Sequence, residues 1–309
     1  MKNKNSQNKT KFWVQIKNSK FLYLLLLPGI VYFILFKYMP MAWLVISFQD
    51  YKLLKGISGS KWVGLKNFVD FFSSMDCWMI IKNTIVINLL NLLFAFPASI
   101  IFALLLNEVR KLRFKKIVQT ISYLPHFIST VIMVGLIHTM FSSAPAGPLY
   151  KVFSAFGASG SILANAKYFR GIFIGSAIWQ QTGWNSIVFI AALAGIDPTY
   201  YEAAIVDGAN RIQQLFYITI PSIMNTIFMM LIIKIGQIMT LGVDKAYLLQ
   251  TDTTRQVSEV ISTYVYKKGM QGNQYGYATA VSVFNSVIGL ILVISANKLS
   301  KKYSQNSLW

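Results

Sequence analysis

Long apolar runs alternate with shorter polar segments along the whole chain. The apolar runs cover residues 21–48, 84–106, 117–140, 171–196, 222–241 and 277–296. Because about 20 helical residues cross a hydrocarbon core of about 30 Å, each run can form one membrane-spanning helix. Pro125 lies within the third run and predicts a kink there. The polar segments 49–81, 142–170 and 243–276 are predicted to be external loops, the first with a short helix at 65–72. The pattern predicts an all-α, polytopic membrane protein whose residues 21–309 form one domain with six transmembrane helices.

The composition agrees with a membrane protein and excludes several other classes. Hydrophobic residues make up 55% of the 309 residues, charged residues only 13%, and the mean hydropathy is +0.51. Soluble domains usually carry about 25% charged residues. The single cysteine, Cys77, excludes an intramolecular disulfide. The net charge of +19 fits lysines that flank spans and contact anionic lipid, and no nucleic-acid-binding motif accompanies it. The expected partner is therefore the lipid membrane and not a nucleic acid.

Clusters of positive charge predict the side of the membrane on which each terminus lies. Residues 1–20 hold six lysines and no acid, and residues 110–116 hold five cations. Since short loops rich in Lys and Arg stay in the cytoplasm, we expect a basic cytoplasmic tail at 1–20 and a cytoplasmic loop at 110–116. Six spans then return the carboxyl terminus to the cytoplasmic side of the plasma membrane. A secretory signal is the alternative for the first run, but Pro28 and the long charged lead favour an uncleaved anchor.

The polar segment 197–221, between the fourth and fifth runs, has a regular pattern. Asp197 and Pro198 are typical of the N-cap and the first position of a helix. Glu202-Ala203-Ala204 is followed after three residues by Gly208, where the chain can bend at little cost. After nine further residues, 209–217, comes Ile218-Thr219-Ile220-Pro221. The pattern predicts two short helices that meet at an angle and form a docking element, and an ordinary amphipathic loop is the alternative.

This spacing resembles the EAA loop of binding-protein-dependent ABC importer permeases. Residues 62–68, Trp-Val-Gly-Leu-Lys-Asn-Phe, similarly resemble a W-x-G-L-x-N-F segment that follows the first span of sugar-type permeases. The order of features resembles maltose-type carbohydrate permeases, and more closely the smaller permeases of Gram-positive oligosaccharide and lipoprotein-linked systems. The resemblance implies a type I ABC importer permease fold. It identifies the residues that couple to an ATPase as Glu202, Ala203, Ala204, Asp207, Gly208, Ile218 and Pro221.

The resemblance also implies a function and a set of partners. It implies a permease subunit of an ATP-driven ABC importer that translocates a sugar, here an oligosaccharide, delivered by an extracellular binding lipoprotein. A second homologous permease, forming a heterodimer in preference to a homodimer, and two cytoplasmic ATPase subunits complete the expected complex. Residues 59–61, Gly-Ser-Lys, lack the glycine spacing of a P-loop. We therefore expect no enzymatic activity and no cofactor in this chain, with ATP and Mg²⁺ bound by the partner ATPase.

The fourth run contains side chains suited to a sugar, because aromatic rings stack on pyranose faces and amides pair with hydroxyl groups. Helix packing through amides is the alternative for this stretch. Lys234, in the fifth run, is a candidate because a lysine inside the membrane is costly. Contact with an acidic sugar, pairing with an acid of the partner subunit and a structural role all remain open for it. By position, the resemblance adds several residues, so that the candidates for the substrate path are Trp179, Gln180, Gly183, Trp184, Asn185, Ser186, Lys234, Gln237, Leu241 and Asp244.

Other functions receive less support from the sequence. A secondary transporter would need ion-coupling carboxylates in its spans, and a membrane enzyme would need paired acids, metal ligands or an activated serine there. The spans hold almost no carboxylates. His126 and His138 have no carboxylate or cysteine at ligand spacing, so we expect packed histidines and no metal site. Asp207 and Arg211, four residues apart, predict a helical ion pair. Within the importer family, a non-sugar solute is the alternative substrate.

Overall fold

The computed structural model describes residues 19–143, 146–157 and 159–304. The basic tail predicted for residues 1–20 lies outside this range except for its last two residues. Most of the described chain is helical, as the apolar pattern predicts, and the only sheet within these ranges has two short strands.

The first span is one helical stretch whose winding changes twice. It comprises α1 (Lys20–Phe33), a π-helical turn (Ile34–Tyr38) and a 3-10 segment (Met39–Phe48). No residue of α1 is buried, whereas Ile46 and Ser47 at the far end pack into the protein. Within the described structure, the span is thus attached to the other helices mainly through its last turns.

A small hairpin follows the first span and closes its end. Strand β1 (Gln49–Asp50) pairs antiparallel with β2 (Lys61–Trp62), and helix α2 (Gly56–Gly59) lies between them. Helix α3 (Lys66–Phe72) then forms where a short helix is predicted at 65–72. The Asn67 amide donates to the carbonyl groups of Ser47 and Gln49 at 2.8 and 3.0 Å. The W-x-G-L-x-N-F segment therefore holds the end of the first span in place. We call this side of the protein the hairpin side.

The second and third spans both contain breaks. The second comprises α4 (Cys77–Leu90), a π-helical turn (Asn91–Ala95) and α5 (Phe96–Asn107), and it begins seven residues before the predicted residue 84. It carries the chain to the opposite side, which we call the basic side because residues 110–116 follow. The third comprises α6 (Leu112–Tyr123), a 3-10 turn (Leu124–Phe127) and α7 (Thr130–Phe141), with a 100° bend.

The bend corrects the prediction of one kinked helix at 117–140. Pro125 cannot donate a backbone hydrogen bond, and the chain leaves helical geometry at Ile128. The Ser129 side chain then caps a new helix by accepting from the Ile132 N–H. The Gln180 amide donates to the Ile128 carbonyl at 3.0 Å, which satisfies a group that the break exposes. The third run is therefore two helices rather than one.

The fourth span is one unbroken helix of 29 residues. After α8 (Pro148–Ala155), in a region predicted as loop, comes α9 (Ala166–Ala194), capped by Asn165. Gly183 of α9 lies so close to Ser122 that an added Cβ would overlap the Ser122 carbonyl group. This close approach brings α6 and α9 into direct backbone contact.

The segment after α9 lies on the basic side, where its Arg211 reaches Glu108 beside the end of α5. It comprises α10 (Pro198–Val206), α11 (Arg211–Gln214) and a π-helical turn (Leu215–Thr219), which runs into α12 (Ile220–Gly236). Helix α12 begins two residues before the predicted start of the fifth span at 222 and ends at Gly236, five residues before the predicted end at 241. An added Cβ on Gly236 would collide with the Val293 side chain, which explains why only glycine fits there.

The region 243–276, predicted as a loop, is largely helical. It contains α13 (Val243–Leu249), a 3-10 turn (Asp252–Thr254), α14 (Arg255–Ser258), α15 (Ile261–Tyr266) and a π-helical turn (Lys267–Gln271). The final helix, α16 (Tyr275–Ser304), starts two residues before the predicted sixth span. Buried residues of this region, such as Val260 and Ile261, join the apolar cores that connect it to the spans.

All six predicted spans correspond to helices, but they differ in apolar character. Four stretches among the described residues are long and apolar enough to cross a membrane, and the bent third span raises the number to five. These four are Lys20–Phe48, Cys77–Asn107, Arg211–Gly236 and Tyr275–Lys298. Helix α9 has 29 residues, which is sufficient length, but its Trp, Gln and Asn side chains make it less apolar. That polarity needs a protein or aqueous environment inside the membrane.

Candidate functional site

The segment from Asp197 to Pro221 has the two-helix geometry that its sequence predicts. The Asp197 carboxylate accepts from the Thr199 N–H at 2.9 Å and caps α10, with Pro198 at the first helical position. Hydrogen bonds from Thr199 lower the pKa of Asp197 below its usual value. The cap keeps this carboxyl ionised, which suits the positive end of the helix dipole. We call residues 197–221 the coupling segment.

Gly208 forms the bend between the two helices of the coupling segment. Its φ of +79° lies in the left-handed region, which glycine adopts without strain. The Ala209 N–H donates to the Ala204 carbonyl at 2.8 Å across this bend. Asn210 then starts α11 with a capping box that it shares with Gln213. The predicted role of Gly208 as a bend is thus confirmed in geometry.

Side-chain contacts tie the coupling segment to the helices above it. The Tyr201 and Thr219 hydroxyl groups lie 2.9 Å apart, and Thr219 is buried at the foot of α12. Arg211 forms an exposed ion pair of 3.4 Å with Glu108. The predicted pair between Asp207 and Arg211 is therefore wrong, because the arginine extends toward the end of α5 instead.

The free surface of the coupling segment combines acidic side chains with apolar ones. Glu202 and Asp207 are exposed, and so are Ile205, Val206 and Tyr217. A groove of about 310 Å³ lies between the two helices, lined among others by Ala204, Asp207, Gly208 and Ile218. Exposed apolar side chains of this kind are typical of a protein-docking surface. The predicted residues Ala203 and Pro221 are exposed on the same segment.

A polar cavity of about 220 Å³ lies among the second, fourth and fifth spans. It brings together three of the predicted path residues, Asn185, Lys234 and Gln237. The sequence-based candidates lacked three further amides that line it, Asn88, Asn91 and Gln181. Asn88 and Asn91 are three residues apart on one helical face, so their spacing was the available signal. The remaining lining residues are Leu92, Ala95, Phe96, Ala177, Ile238 and Thr240.

The polar cavity lies deep in the membrane region. Asn91 follows the start of α4 by 14 residues, a helical rise of about 21 Å. Gly236, at the end of α12, packs beside Gly289, which follows the start of α16 by the same number of residues. Asn91 and Gly289 are each the 15th residue of a spanning stretch, Cys77–Asn107 of 31 residues and Tyr275–Lys298 of 24, so the cavity lies in the central part of both. Helix α12 therefore ends inside the membrane region, and its last turn carries Lys234 into the cavity.

Polar groups of the cavity have hydrogen-bonding capacity to spare. The Asn91 side-chain oxygen is buried and has no hydrogen-bond partner among the described residues. The Lys234 ammonium forms no ion pair with any acid in the part of the chain that the structure covers. Unpaired groups of this kind inside a membrane are costly unless a ligand, water or another subunit satisfies them.

Most other predicted path residues of the fourth span take part in helix packing. The Ser186 hydroxyl donates to the Gly183 carbonyl at 2.6 Å, and Gly183 contacts Ser122 as described above. Trp184 stacks on the His126 ring at 4.3 Å between centroids, and the His126 Nδ1 lies 3.0 Å from the side-chain oxygen of Gln181. These contacts match the packing alternative. Of the predicted candidates in the fourth span they leave Asn185 in the polar cavity, beside Gln181.

Three more candidates lie away from the polar cavity. Trp179 lines a separate apolar cavity of about 520 Å³ beside α7 and α8. Leu241 packs against an apolar core, and Asp244 is exposed in the first turn of α13. Three predicted candidates, Asn185, Lys234 and Gln237, therefore line the polar cavity, and the others lie in packing contacts, in the apolar cavity or on the surface.

A buried ion network on the hairpin side was absent from the sequence-based candidates. Glu259 is only 1% exposed, and its carboxylate contacts Arg255 at 3.1 Å and Lys267 at 3.0 Å. Glu259 and Asp76 raise the pKa of Arg255 further above its usual value. The Asn83 amide donates to the Glu259 carbonyl at 3.1 Å and so connects this network to α4. The network fixes the helical region 243–276 onto the spans.

Comparison with known proteins identifies the family. Residues 95–305 match the family of binding-protein-dependent transport system inner membrane components. The chain is 43% identical over 304 residues to the polygalacturonan/rhamnogalacturonan transport system permease protein YteP of Bacillus subtilis (strain 168), covering 98% of this chain and 94% of that protein. It is 44% identical over 295 residues to the protein LplB of the same organism, covering 95% and 92%.

A solved structure shows the same fold. A chain in the crystal structure of a bacterial ABC transporter involved in the import of the acidic polysaccharide alginate superposes with a TM-score of 0.86, at 41% identity. The match covers 95% of this chain and 99% of that chain. The chain belongs to the family of binding-protein-dependent transport system inner membrane components, and it is a multi-pass membrane permease subunit of an ABC importer rather than an enzyme.

Proposed function

We propose that this permease conducts an oligosaccharide across the membrane and that the polar cavity forms its share of the path. The observation that carries the proposal is the set of five amide side chains that line a cavity between membrane-spanning stretches. Each amide offers both a donor and an acceptor, which matches the mixed hydroxyl groups of a sugar. YteP, by its name, transports polygalacturonan and rhamnogalacturonan, and this likeness supports a saccharide substrate.

A second permease subunit completes the proposed path. The cavity is open and polar, and a polar surface facing lipid would leave its amides without partners. We assign the open side of the cavity to contact with a homologous permease, with a heterodimer as the proposed arrangement. In that complex, each permease supplies one wall of the path.

The coupling segment is proposed to dock on the cytoplasmic ATPase subunits. Its exposed Ile205, Val206 and Tyr217 supply apolar contact area, and Glu202 supplies a charge beside them. It lies on the basic side, since Arg211 contacts Glu108, and clustered cations mark the cytoplasm. This placement supports cytoplasmic termini and a hairpin side that faces an extracellular binding lipoprotein. ATP and Mg²⁺ belong to the ATPase in this proposal.

Reconstitution in liposomes tests the proposed function. The sample contains this chain, the second permease, the ATPase and the solute-binding protein, and both ATP hydrolysis and oligosaccharide uptake are measured. We expect uptake to require the ATPase, and we expect Glu202→Lys to abolish both uptake and sugar-stimulated hydrolysis. Asp252→Lys, at an exposed acid on the hairpin side, serves as the matched control for the charge change. Uptake that persists without any ATPase would instead identify a secondary transporter.

A further inference from the structure

The polar cavity contains one charged side chain, and that side chain is a cation. Lys234 extends from the last turn of α12 into a space otherwise lined by amides, apolar groups and one threonine. No carboxylate lines the cavity. An ammonium at this depth carries a cost of about 2.5–3.5 kcal/mol when it has no partner.

The acids of this chain cannot supply the missing counter-charge. The chain has ten acidic residues, and all of them lie within the described ranges. Six lie in the hairpin-side segments 50–76 and 244–259, and four lie at the basic side, at residue 108 and in 197–207. Glu108, Asp76 and Glu259 are already paired with arginines or Lys267, and Asp50 is paired with Lys52. The counter-charge for Lys234 must therefore come from outside the chain.

We infer that the polar cavity binds a negatively charged sugar residue, a uronate, whose carboxylate pairs with Lys234. This inference rests on the proposed function, because it specifies the oligosaccharide that the path conducts. It makes Lys234 a specificity-determining residue, since a neutral sugar would occupy the cavity and leave the ammonium uncompensated.

The surroundings of Lys234 favour a hydroxylated anion over a simple one. The buried Asn91 side-chain oxygen has no donor in the described structure, and an acceptor of this kind repels a bare anion. A uronate offers a carboxylate to the ammonium and hydroxyl donors to Asn91 at the same time. Asn185 and Gln237 can donate to the remaining ring oxygens. Charge and hydrogen-bonding capacity in the cavity thus both match one ligand class.

Discrimination by charge follows from the partly buried position of Lys234 in the cavity. Water and salt screen a partly buried ion pair less than a pair on the protein surface, so the ammonium attracts an anion that enters. A neutral sugar of the same shape gains only the amide hydrogen bonds. We therefore expect Lys234 to set the ratio of acidic to neutral affinity, while the amides set the affinity that both ligands share.

Paired ligands test this inference directly. Trigalacturonate and its fully methyl-esterified form have the same rings and hydroxyl groups but differ in charge. Binding of each would be measured to the complete transporter of permeases and ATPases in lipid nanodiscs, without the binding protein. We expect the wild type to bind the acid at least tenfold more tightly than the ester, which corresponds to about 1.4 kcal/mol. Lys234→Gln should remove that ratio, and Lys234→Arg should retain most of it.

The controls separate the possible outcomes. Lys82→Gln, at an exposed lysine of the second span, should leave the ratio unchanged. Equal affinity of the wild type for acid and ester would overturn the inference and leave the proposed oligosaccharide function standing. Failure of both ligands to bind, together with failure of oligosaccharide uptake in liposomes, would overturn the proposed function itself. If Lys234→Gln instead releases the second permease during size-exclusion chromatography, the counter-charge belongs to that subunit and the inference is wrong.

Discussion

The hydroxyl groups of Tyr201 and Thr219 lie 2.9 Å apart and join the first helix of the coupling segment to the foot of α12. Thr219 is 3% exposed and belongs to the π-helical turn from which α12 continues. Helix α12 ends at the polar cavity with Lys234 in its last turn. A displacement of α10 by a docked partner therefore acts on the same helix that lines the proposed sugar path.

Tyr201→Phe is expected to weaken coupling while the fold is retained. The change removes one buried hydrogen bond, worth about 1 kcal/mol, and leaves the aromatic ring in place. We expect fewer sugar molecules transported per ATP hydrolysed, measured in liposomes that contain the whole transporter. Tyr200→Phe is the control, because Tyr200 is 60% exposed on the neighbouring position of the same helix. If Tyr201→Phe left the number of sugar molecules transported per ATP unchanged, the hydroxyl contact would not contribute to coupling.

Gly208→Ala is expected to distort the bend of the coupling segment. The φ of +79° is strained for alanine by about 1–2 kcal/mol, although no atom lies within 4 Å of the added Cβ. The strain is therefore in the backbone alone, and Gly208→Asn should be tolerated better because asparagine adopts left-handed geometry more readily. The measurement is ATPase stimulation by the permease pair. Gly135→Ala, at an open glycine with ordinary φ, is the control, and equal loss in both variants would contradict the bend argument.

The sequence predicted the parts of the structure that depend on local chemistry. The Asp197 cap, the Gly208 bend and the short helix at 66–72 all rest on interactions within a few residues, and each is present. The apolar runs also located every span. The ends of the spans were less predictable. Helix α12 ends at Gly236, which packs against Val293, 57 residues away along the chain, and no local pattern encodes that contact.

The polar cavity could be predicted only in part for a similar reason. Lys234 and Asn185 were recognisable as costly polar residues within apolar runs. Whether a polar residue of the fourth span faces the cavity or a neighbouring helix depends on the rotation of α9. That rotation is set by the close approach of Gly183 to Ser122, and no local pattern encodes it. The Glu259 network could not be predicted for the same reason, because Asn83, which contacts Glu259, lies 176 residues away in the sequence.

Glu259→Gln is expected to destabilise the hairpin side. Removing the buried carboxylate leaves Lys267 without an ion-pair partner and Arg255 with Asp76 alone. Because both cations are partly exposed, we expect a loss of about 1.5–3 kcal/mol, the usual contribution of a hydrogen bond to a charged group. We expect a lower thermal unfolding midpoint of the detergent-solubilised transporter. Asp252→Asn, an exposed acid seven residues earlier, should have little effect. Adding Lys267→Gln to Glu259→Gln should recover part of the loss, and strict additivity of the two changes would argue against a coupled network.

Lys245 predicts a pH dependence of stability on the hairpin side. Its ammonium donates to the Phe173 carbonyl at 2.9 Å and lies 4.6 Å from the centre of the Phe173 ring, outside the membrane-spanning stretches. Burial lowers the pKa of Lys245 to about 8 from the ordinary 10.5. Between these values the unfolded state binds more protons than the folded state, so the free energy of unfolding rises with pH. Below about pH 8 the buried Lys245 is charged, and it lowers the free energy of unfolding by its full amount, about 3 kcal/mol at most.

Lys245→Met isolates this contribution. The variant removes the buried charge, and the Phe173 carbonyl keeps an alternative donor in the Ser176 hydroxyl at 3.0 Å. We expect the variant to be more stable than the wild type at pH 7 and the difference to shrink toward pH 9.5, measured by thermal unfolding in detergent. Taking the difference cancels the titration of other groups, since they are common to both proteins. Lys245→Arg stays charged over this pH range, so its free energy of unfolding should remain below that of Lys245→Met by a constant amount. Parallel curves for wild type and Lys245→Met would show that the lysine stays fully protonated in the folded protein.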